Sequence, residues 1–586
     1  MTFGRGEFEA QDDSSAEAEA LLNETWSSDG RGSSEIESMT GRLKASWSSH
    51  KEKPSIANSS PTSDDGPQLA LESLTDSSDL DSANLRAQGH EAALQRSFSP
   101  LAAIGLGFSI TNSWVGYLSN FGQNLIYGGP QSVVFGLLVA TIVQWTITLG
   151  LSEVASAFPS AGGQYHFTYI LAPTKHKKFA AFVVGWMTLL GWQASPSPSD
   201  SDKRLIAKTA GPLFLSPKSV PKITQATLFL SVSGFVVVFI LLLALKKQTQ
   251  PASFITESGL GTSGWSDGTA WMIGIGNALY AYGGTDGAIH IAEEIPRPGK
   301  NIPLAMNLTM CIGFLTAFPM TLALMFGMTD IDAVLNSKLA SAQIFYQITG
   351  SRGIVTFMQC WVIVVYFMSL TSQWVTAGRM TWAFARDVRP HFLPVLRAAT
   401  NKQPKRGIPY SEFFSHVSTS RDFPVRATIL SICFCCIYGL LYLASTTAFN
   451  SIVTSAVLYL VRPLLLHPLS TKTYPANPPP PTQSITYAVP QGIIVTRGRA
   501  TSLPTRAFDL GNLGYICNIL SPLLVAVIGT FICFPPELPV TTSNMNYTPV
   551  ILFGLFFVIM GLWWTRGKKF VGPRIDWELL NLTACK

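Results

Sequence analysis

Long apolar runs separated by short polar loops make up the chain from residue 98 onward. A run of about 20 apolar residues crosses the ~30 Å hydrocarbon core of a bilayer as a helix. Eleven runs are therefore predicted to be membrane spans, although those at 179–195 and 448–461 are short. The predicted spans are 101–127, 131–153, 179–195, 223–245, 269–293, 304–328, 354–376, 425–446, 448–461, 514–536 and 547–565.

Charge is scarce in this chain and unevenly distributed. Only 13% of the 586 residues are charged, 47% are hydrophobic and the mean hydropathy is +0.27, whereas a soluble globular protein carries about 25% charged residues. Residues 1–97 hold 26 of the charged residues, 18 acidic and 8 basic. These figures exclude a large soluble enzyme, a fibrous protein and a wholly disordered chain, and they indicate an all-α polytopic membrane protein with a polar tail.

The domain organisation follows from this contrast. Residues 1–97 are rich in Ser, Asp and Glu and show no apolar periodicity, which predicts a disordered cytosolic tail without a cleavable signal peptide. Residues 98–566 are predicted to form the transmembrane domain, and residues 567–586 a cytosolic C-terminal tail.

The basic loop residues predict the orientation. With the N-terminal tail inside, the loops on its side of the membrane carry 17 Lys and Arg, whereas on the opposite side the loop near 329–352 carries Lys338 and Arg352 and the loop at 534–548 carries none. This asymmetry is the positive-inside pattern of a multi-pass integral membrane protein with a cytosolic N-terminus. The plasma membrane is the expected location, with the vacuolar membrane as the alternative. The alternation of loops requires twelve spans, so one is missing near residues 195–219.

Two of the predicted spans are interrupted by small and polar residues, at 104–116 and at 277–290. Within lipid every backbone polar group must be satisfied internally, so such clusters suit a helix that unwinds and lines a cavity. Close packing of small residues on a neighbouring helix explains Gly105 and Gly107 equally well. The segment Gly283-Gly284 is more telling, because the ionisable Asp286 follows directly at mid-membrane depth.

A carboxylate at that depth costs several kcal/mol unless it is paired or hydrated. Asp286 is therefore a candidate counter-ion for a substrate ammonium or a candidate proton site, and a partner for a neighbouring polar group is the plainer alternative. Tyr280, Tyr282 and Trp114 could offer aromatic faces to a cationic amine. At the inner end of the same span, Glu293, Glu294 and Arg297 could form a salt-bridge gate, and a solvated loop is equally consistent with the sequence.

Other kinds of site find no support in the sequence. No Walker motif, HExxH motif or paired CxxC spacing is present, so neither a cofactor nor a metal site is predicted, and no catalytic constellation indicates an enzyme. The basic balance of the body is a topology signal and does not indicate nucleic-acid binding.

Several motifs resemble the amino acid–polyamine–organocation transporter superfamily, and most closely its fungal branch of amino acid, choline and γ-aminobutyrate permeases. They lie at 108–114, 152–165, 284–286, 293–303 and 487–492. The resemblance covers residues 96–193, 221–460 and 485–575 and implies a five-plus-five inverted-repeat fold with two extra C-terminal helices. It also implies that substrate binds where helices one and six unwind. The positions carried over by motif are Thr111, Asn112, Ser113, Trp114, Tyr280, Tyr282, Gly283, Gly284, Thr285 and Asp286.

The chain departs from the family pattern at two places. Residues 195–219 replace helix four and the end of helix three, and residues 461–484 split helix ten. Each stretch is either an anomalous insertion, such as translated non-coding sequence, or a genuine loop.

The resulting prediction is a secondary active transporter of an amino acid or related small amine, driven by a coupling cation that is expected to be the proton. The alternatives are a transport-inactive nutrient sensor and a non-functional truncated permease.

Overall fold

A computed structural model describes residues 77–194, 217–387, 411–418, 422–444, 485–541, 544–567, 570, 572–573 and 575–584. These residues are helical and contain no strand beyond one isolated bridge between Ser418 and Phe423. Their α-helices of eight or more residues are α1 (Ser77–Ala87), α2 (Pro100–Thr111), α3 (Ser113–Ala157), α4 (Gln164–Leu171), α5 (Lys177–Ala194), α6 (Val220–Leu245), α7 (Asp267–Ala278), α8 (Pro298–Gly327), α9 (Ala340–Thr349), α10 (Arg352–Asp387), α11 (Val425–Ala444), α12 (Ile485–Arg497), α13 (Asn512–Ile532), α14 (Thr548–Arg566) and α15 (Trp577–Ala584).

Six stretches among the described residues are long and apolar enough to cross a membrane. They coincide with seven of the predicted spans, because the first stretch contains two of them, and the prediction of a multi-pass integral membrane protein is confirmed to that extent. The predicted run at 448–461 lies outside the described residues. The six stretches are Pro100–Ala157, Val220–Leu245, Pro298–Gly327, Arg352–Asp387, Asn512–Ile532 and Thr548–Arg566.

The turn between the first two predicted spans is a sharp break inside α3. Gly128 and Gly129 have non-helical backbone angles, and Pro130 follows. Gly129 has a φ of +66°, and a Cβ at that position would lie 2.7 Å from the Cβ of Leu260. Glycine is therefore required here both by the backbone conformation and by the neighbouring chain, and the predicted boundary at 128–130 is confirmed.

The helices α5 and α6 begin at the same end of the bundle. Thr224 near the start of α6 donates a hydrogen bond to the carbonyl of Ala102 at the start of α2, over 3.1 Å. α5 directly follows α4, in which His166 lies 3.4 Å from His90 of the segment before α2. Successive spans of a bundle normally begin at opposite ends. The loop charges predict that these two begin at the same end, because one span is missing between them. Residues 195–216 lie outside the described part, and the inverted repeat stays a prediction.

The prediction that all of residues 1–97 are disordered is wrong for residues 77–97. α1 forms there, Leu85 and Leu94 are buried, and the carbonyl of Ala87 accepts a hydrogen bond of 2.8 Å from the backbone of Asp576. Contacts with the bundle and with α15 order this segment, whose apolar positions are too few to show a periodicity on their own. The earlier residues of the tail lie outside the described part.

Candidate functional site

The first interrupted span breaks at Asn112, as its polar sequence predicts. Asn112 lies between α2 and α3 with left-handed angles of φ 38° and ψ 53°, a conformation that asparagine tolerates better than most residues. Its side chain accepts a hydrogen bond from Ser231 of α6 at 2.6 Å and donates one to Ser369 of α10 at 3.3 Å. Polar side chains from two other spans thus hold the break open.

The second interrupted span breaks at Gly283 and Gly284. α7 passes into a 3₁₀ turn, Leu279–Tyr282, and after the two glycines a second 3₁₀ helix, Thr285–Ile291, continues the chain. Gly284 has a φ of +80°, and a Cβ there would lie 2.7 Å from Cγ2 of Ile110, two residues before Asn112. The two helix breaks therefore face each other in the bundle, at a contact so close that it requires glycine.

The other side chains of the first break are also buried. Trp114 is fully buried and donates its indole N–H to Ser231 at 3.0 Å, and Thr111 donates to the carbonyl of Phe108 at 3.2 Å. The buried hydroxyl of Ser113 has no hydrogen-bond partner in the described part of the chain. Ser113 stands at the N-terminus of the long helix α3, where the helix dipole favours a negative group.

The two tyrosines of the second break diverge. Tyr282 is buried, and its hydroxyl shares a hydrogen bond of 2.7 Å with Thr141 of α3. Tyr280 is 42% exposed, so the prediction of one aromatic cluster over Asp286 is not met by this pair. A 3₁₀ turn explains the difference, because its 3.0 residues per turn point positions two apart in different directions. Of the other positions predicted to bind substrate, only Gly283 is more than slightly exposed.

Asp286 is fully buried among hydrogen-bond donors from three helices. Gln164 of α4 donates to its carboxylate at 2.6 Å and Tyr487 of α12 at 2.7 Å, while Trp192 of α5 donates at 3.3 Å. Nε2 of His290 lies 3.4 Å from the same carboxylate. Protein groups thus occupy the positions around Asp286 that a substrate ammonium would need. Thr285 beside it contacts two polar side chains of α3, Gln144 and Thr148, both at 3.4 Å.

The contacts of the His290 imidazole determine which of its two nitrogens carries a hydrogen. Its Nδ1 lies 2.9 Å from the carbonyl oxygen of Ala161, which can only accept, so Nδ1 carries a hydrogen. In a neutral imidazole Nε2 then holds a lone pair, and that lone pair would face the Asp286 oxygen across 3.4 Å. A lone pair and a carboxylate repel each other, so the arrangement is favourable only with a further proton between them.

The two glutamates predicted as gate residues, Glu293 and Glu294, form buried ion pairs, but not with Arg297. Arg386 makes a bidentate salt bridge with Glu293, in which both N–O distances are 2.8 Å. Arg379 makes a bidentate salt bridge with Glu294, with N–O distances of 2.6 and 2.9 Å. Both arginines belong to α10. Their spacing of seven residues puts them on one helix face, a signal that sequence reasoning could have used.

Arg297 instead contributes its backbone. Its N–H donates to Asp81 of α1 at 2.8 Å, and its φ of +45° is left-handed. Burial raises the pKa of the Asp81 carboxyl, and this N–H acts in the opposite direction. The predicted gate residues therefore connect to α10 and to the N-terminal segment, and not to one another.

A second charged cluster surrounds Glu153 at the end of α3. Its buried carboxylate is paired with Arg499, and it accepts a 2.8 Å hydrogen bond from Arg506 and a 3.0 Å one from the backbone of Leu510. Asp509 bridges the two arginines from the solvent side, and the backbone N–H of Gly511 and Arg506 lower the pKa of its carboxyl. None of these residues was predicted to belong to a site. The loop that holds Arg499 and Arg506 is one of the basic loops that predict the orientation.

Comparisons with known proteins agree with this architecture. A family model described as amino acid permease matches residues 214–557. A choline transporter of Saccharomyces cerevisiae is 29% identical over 521 residues, covering 84% of this chain and 85% of that protein. An uncharacterized amino-acid permease of Schizosaccharomyces pombe is 26% identical, with 84% and 89% covered.

A swainsonine transporter of Arthroderma benhamiae is also similar, at 27% identity with 81% of this chain and 92% of that protein covered. The family model spans more than half of the chain and includes the second helix break, the paired glutamates and Tyr487. The chain belongs to the amino acid permease family.

Proposed function

We propose that this protein is a secondary active transporter of an amino acid or a related small amine, with choline and γ-aminobutyrate among the candidates. The observation that carries the proposal is the apposition of two helix breaks, at Asn112 and at Gly283-Gly284, inside a bundle of membrane spans. Non-helical backbone at membrane depth is tolerated where it lines a cavity, and paired breaks are typical of transporters that alternate access to a midplane site.

The substrate would bind between the two breaks. The unpartnered hydroxyl of Ser113 and the N-terminus of α3 suit an oxygen-bearing group of the substrate. Trp114 and the buried Tyr282 supply aromatic surface for its amine end. The proposed site consists of Thr111, Asn112, Ser113, Trp114, Tyr280, Tyr282, Gly283, Gly284, Thr285 and Asp286, of which Tyr280 would act only from the open side.

The proposed coupling cation is the proton, held between Asp286 and His290. Four protein donors or contacts already surround the carboxylate, which argues against a direct ion pair with the substrate. The fixed orientation of His290 leaves room for one extra proton on the pair. Loading or releasing that proton would change the charge beside Gly284, where the two breaks meet, and so couple protonation to substrate binding.

The inner gate would be the two buried ion pairs, Glu293 with Arg386 and Glu294 with Arg379. Opening to the cytosol requires these carboxylates to move away from α10. Arg297 would assist by holding the N-terminal segment through Asp81. The N-terminus is proposed to be cytosolic, and the plasma membrane is the proposed location, with the vacuolar membrane as the alternative.

A second candidate function is a nutrient sensor that binds ligand without moving it, or a truncated permease that does neither. It is favoured by one observation, that α5 and α6 begin at the same end of the bundle, as expected if the proposed first repeat lacks a span. Such a gap would weaken the rocking of one repeat against the other on which transport depends.

Uptake and binding measured on the same full-length chain separate these functions. Cells expressing it would be tested with radiolabelled choline, γ-aminobutyrate and a neutral amino acid, and the purified protein would be tested for binding of the same compounds. Saturable accumulation supports the transporter. Binding without accumulation supports the sensor, and neither activity supports the truncated permease. Ser113→Ala, which removes the unpartnered hydroxyl, serves as the binding-site variant, and Gly554→Ala on the open face of α14 as its control.

A further inference from the structure

Three distant segments bring two imidazoles and a carboxylate together beside the inner ion pairs. His90 lies in the segment between α1 and α2, His166 in α4, and Asp387 at the end of α10. His90 Nε2 is 3.4 Å from His166 Nδ1, His90 Nδ1 is 3.5 Å from one Asp387 oxygen, and His166 Nδ1 is 3.8 Å from the other. All three side chains are buried.

These spacings fit the coordination sphere of a small divalent transition metal. One ligand atom from each residue lies within 4.8 Å of the other two. Tetrahedral zinc with bonds of about 2.0–2.1 Å places its ligand atoms about 3.4 Å apart, so modest rotations of the three side chains bring them to bonding distance. Imidazole and carboxylate are the ligand types of zinc sites that keep an open fourth position.

The charge balance around the cluster calls for a cation. Arg386 donates to Asp387 at 3.2 Å, but its two terminal nitrogens are already paired with Glu293. One arginine therefore serves two buried carboxylates, and with both histidines neutral these side chains carry one more negative than positive charge. A buried charge without compensation is strongly unfavourable.

The hydrogen bonds around the cluster orient its side chains but leave one nitrogen of His166 without a partner among the described residues. The Tyr165 hydroxyl donates to Asp387 at 2.8 Å and fixes the carboxylate, as groups behind metal ligands commonly do. The fully buried His166 has an Nε2 with no hydrogen-bond partner in the described residues. A proton can bridge only two of the three converging atoms, whereas a metal ion can accept a lone pair from each of them.

We propose that His90, His166 and Asp387 bind one divalent transition metal, with zinc as the best match. The ion would fasten the segment before α2 to α4 and to the last residue of α10, next to the Glu293–Arg386 pair. In the proposed function this pair separates when the inner side opens, so metal binding would favour the closed inner side; this consequence rests on that proposal. The site is independent of the substrate and of the coupling ion.

Metal content of the purified full-length protein tests this proposal. After incubation with zinc and removal of the free ion, we expect about one zinc per chain, and cobalt in its place should give the visible absorption of a tetrahedral ion. His90→Ala and His166→Ala should each reduce retained zinc by more than about tenfold. His176→Ala, which removes an exposed histidine between α4 and α5, should retain zinc in full.

Thermal unfolding with and without zinc provides a second readout that does not depend on transport. A ligand that binds only the folded state raises the melting temperature, so zinc should stabilise the parent and His176→Ala but not His90→Ala. Zinc content that is negligible in the parent, or equal in the parent and the two site variants, would overturn the proposal. Stabilisation by mild acid alone, with no effect of zinc or cobalt, would overturn it too and assign a proton to the cluster.

Discussion

Nε2 of His290 faces the buried carboxylate of Asp286 across 3.4 Å, while Nδ1 of the same ring donates to the carbonyl of Ala161. The second contact fixes the tautomer, so the first is attractive only when the pair holds a further proton. Asp286 follows Gly284 of the second helix break by two residues, and His290 follows it by six. In the proposed function, this relationship would link protonation of the pair to the place where the two breaks meet.

His290→Gln should uncouple uptake from pH. Glutamine can donate to Asp286 with its amide and accept with its oxygen, and so it satisfies the carboxylate without an added proton. We expect expression close to that of the parent and an uptake rate that no longer changes between mildly acidic and neutral pH. Uptake of a labelled substrate over a pH series measures this, with the exposed His416→Gln as the matched control. If uptake by His290→Gln depends on pH as uptake by the parent does, the coupling proton is not held by this pair.

Gly284→Ala should destabilise the protein and abolish uptake. The added Cβ would lie 2.7 Å from Ile110 Cγ2, at a residue with a φ of +80°. Strain and overpacking of this kind cost about 1–3 kcal/mol. The melting temperature in detergent reports the loss. Gly554→Ala, whose Cβ meets nothing within 4 Å, should leave both stability and uptake at parental values. Equal stability of the two variants would show that the breaks are not in contact.

Arg379→Gln should be markedly destabilising, because it leaves Glu294 buried without its partner. Removing one member of a buried ion pair costs about 3–5 kcal/mol. The double variant with Glu294→Gln should recover most of that loss, since neither charge then remains. Denaturation midpoints of the two single variants and the double variant give the coupling between the residues. Arg352→Gln, at an exposed arginine on the opposite end of α10, serves as the control.

The N-terminal segment should show two zones in limited proteolysis of sealed vesicles. The sequence predicts a disordered cytosolic tail, whereas α1 is packed against α15 and against Arg297. We therefore expect cleavage before residue 77 and protection of Ser77–Ala87, and only when the protease reaches the cytosolic side. Cleavage from the outer side alone would reverse the proposed orientation.

The sequence was most informative where local chemistry decides the backbone. Apolar length predicted the spans and the boundary at 128–130, and the small and polar residues at 104–116 and 277–290 predicted the two helix breaks. The structure places Asn112 and Gly284 in the left-handed backbone region, which asparagine and glycine tolerate better than most residues. These features depend on neighbours in the chain, which a single sequence displays directly.

The sequence was least informative about partners that come together only in the folded bundle. Gln164, Trp192 and Tyr487 contact Asp286 from three separate helices. Their spacing in the sequence does not predict these contacts. Of the groups around Asp286, only His290 lies close enough in the sequence, one helical turn later, for its spacing to predict the contact. The order of residues 77–97 was missed for the same reason, because it depends on contacts with the bundle and with α15.

Uptake into proteoliposomes under an imposed proton gradient tests the central claim most directly. The full-length chain would be reconstituted, and labelled choline, γ-aminobutyrate and a neutral amino acid would be followed with and without a protonophore, in the parent and in Asp286→Asn. We predict that an inward proton gradient drives accumulation of one of these substrates in the parent, that the protonophore abolishes it, and that Asp286→Asn shows no response to the gradient. Substrate binding by the parent without accumulation under any gradient would contradict the account and identify a sensor instead.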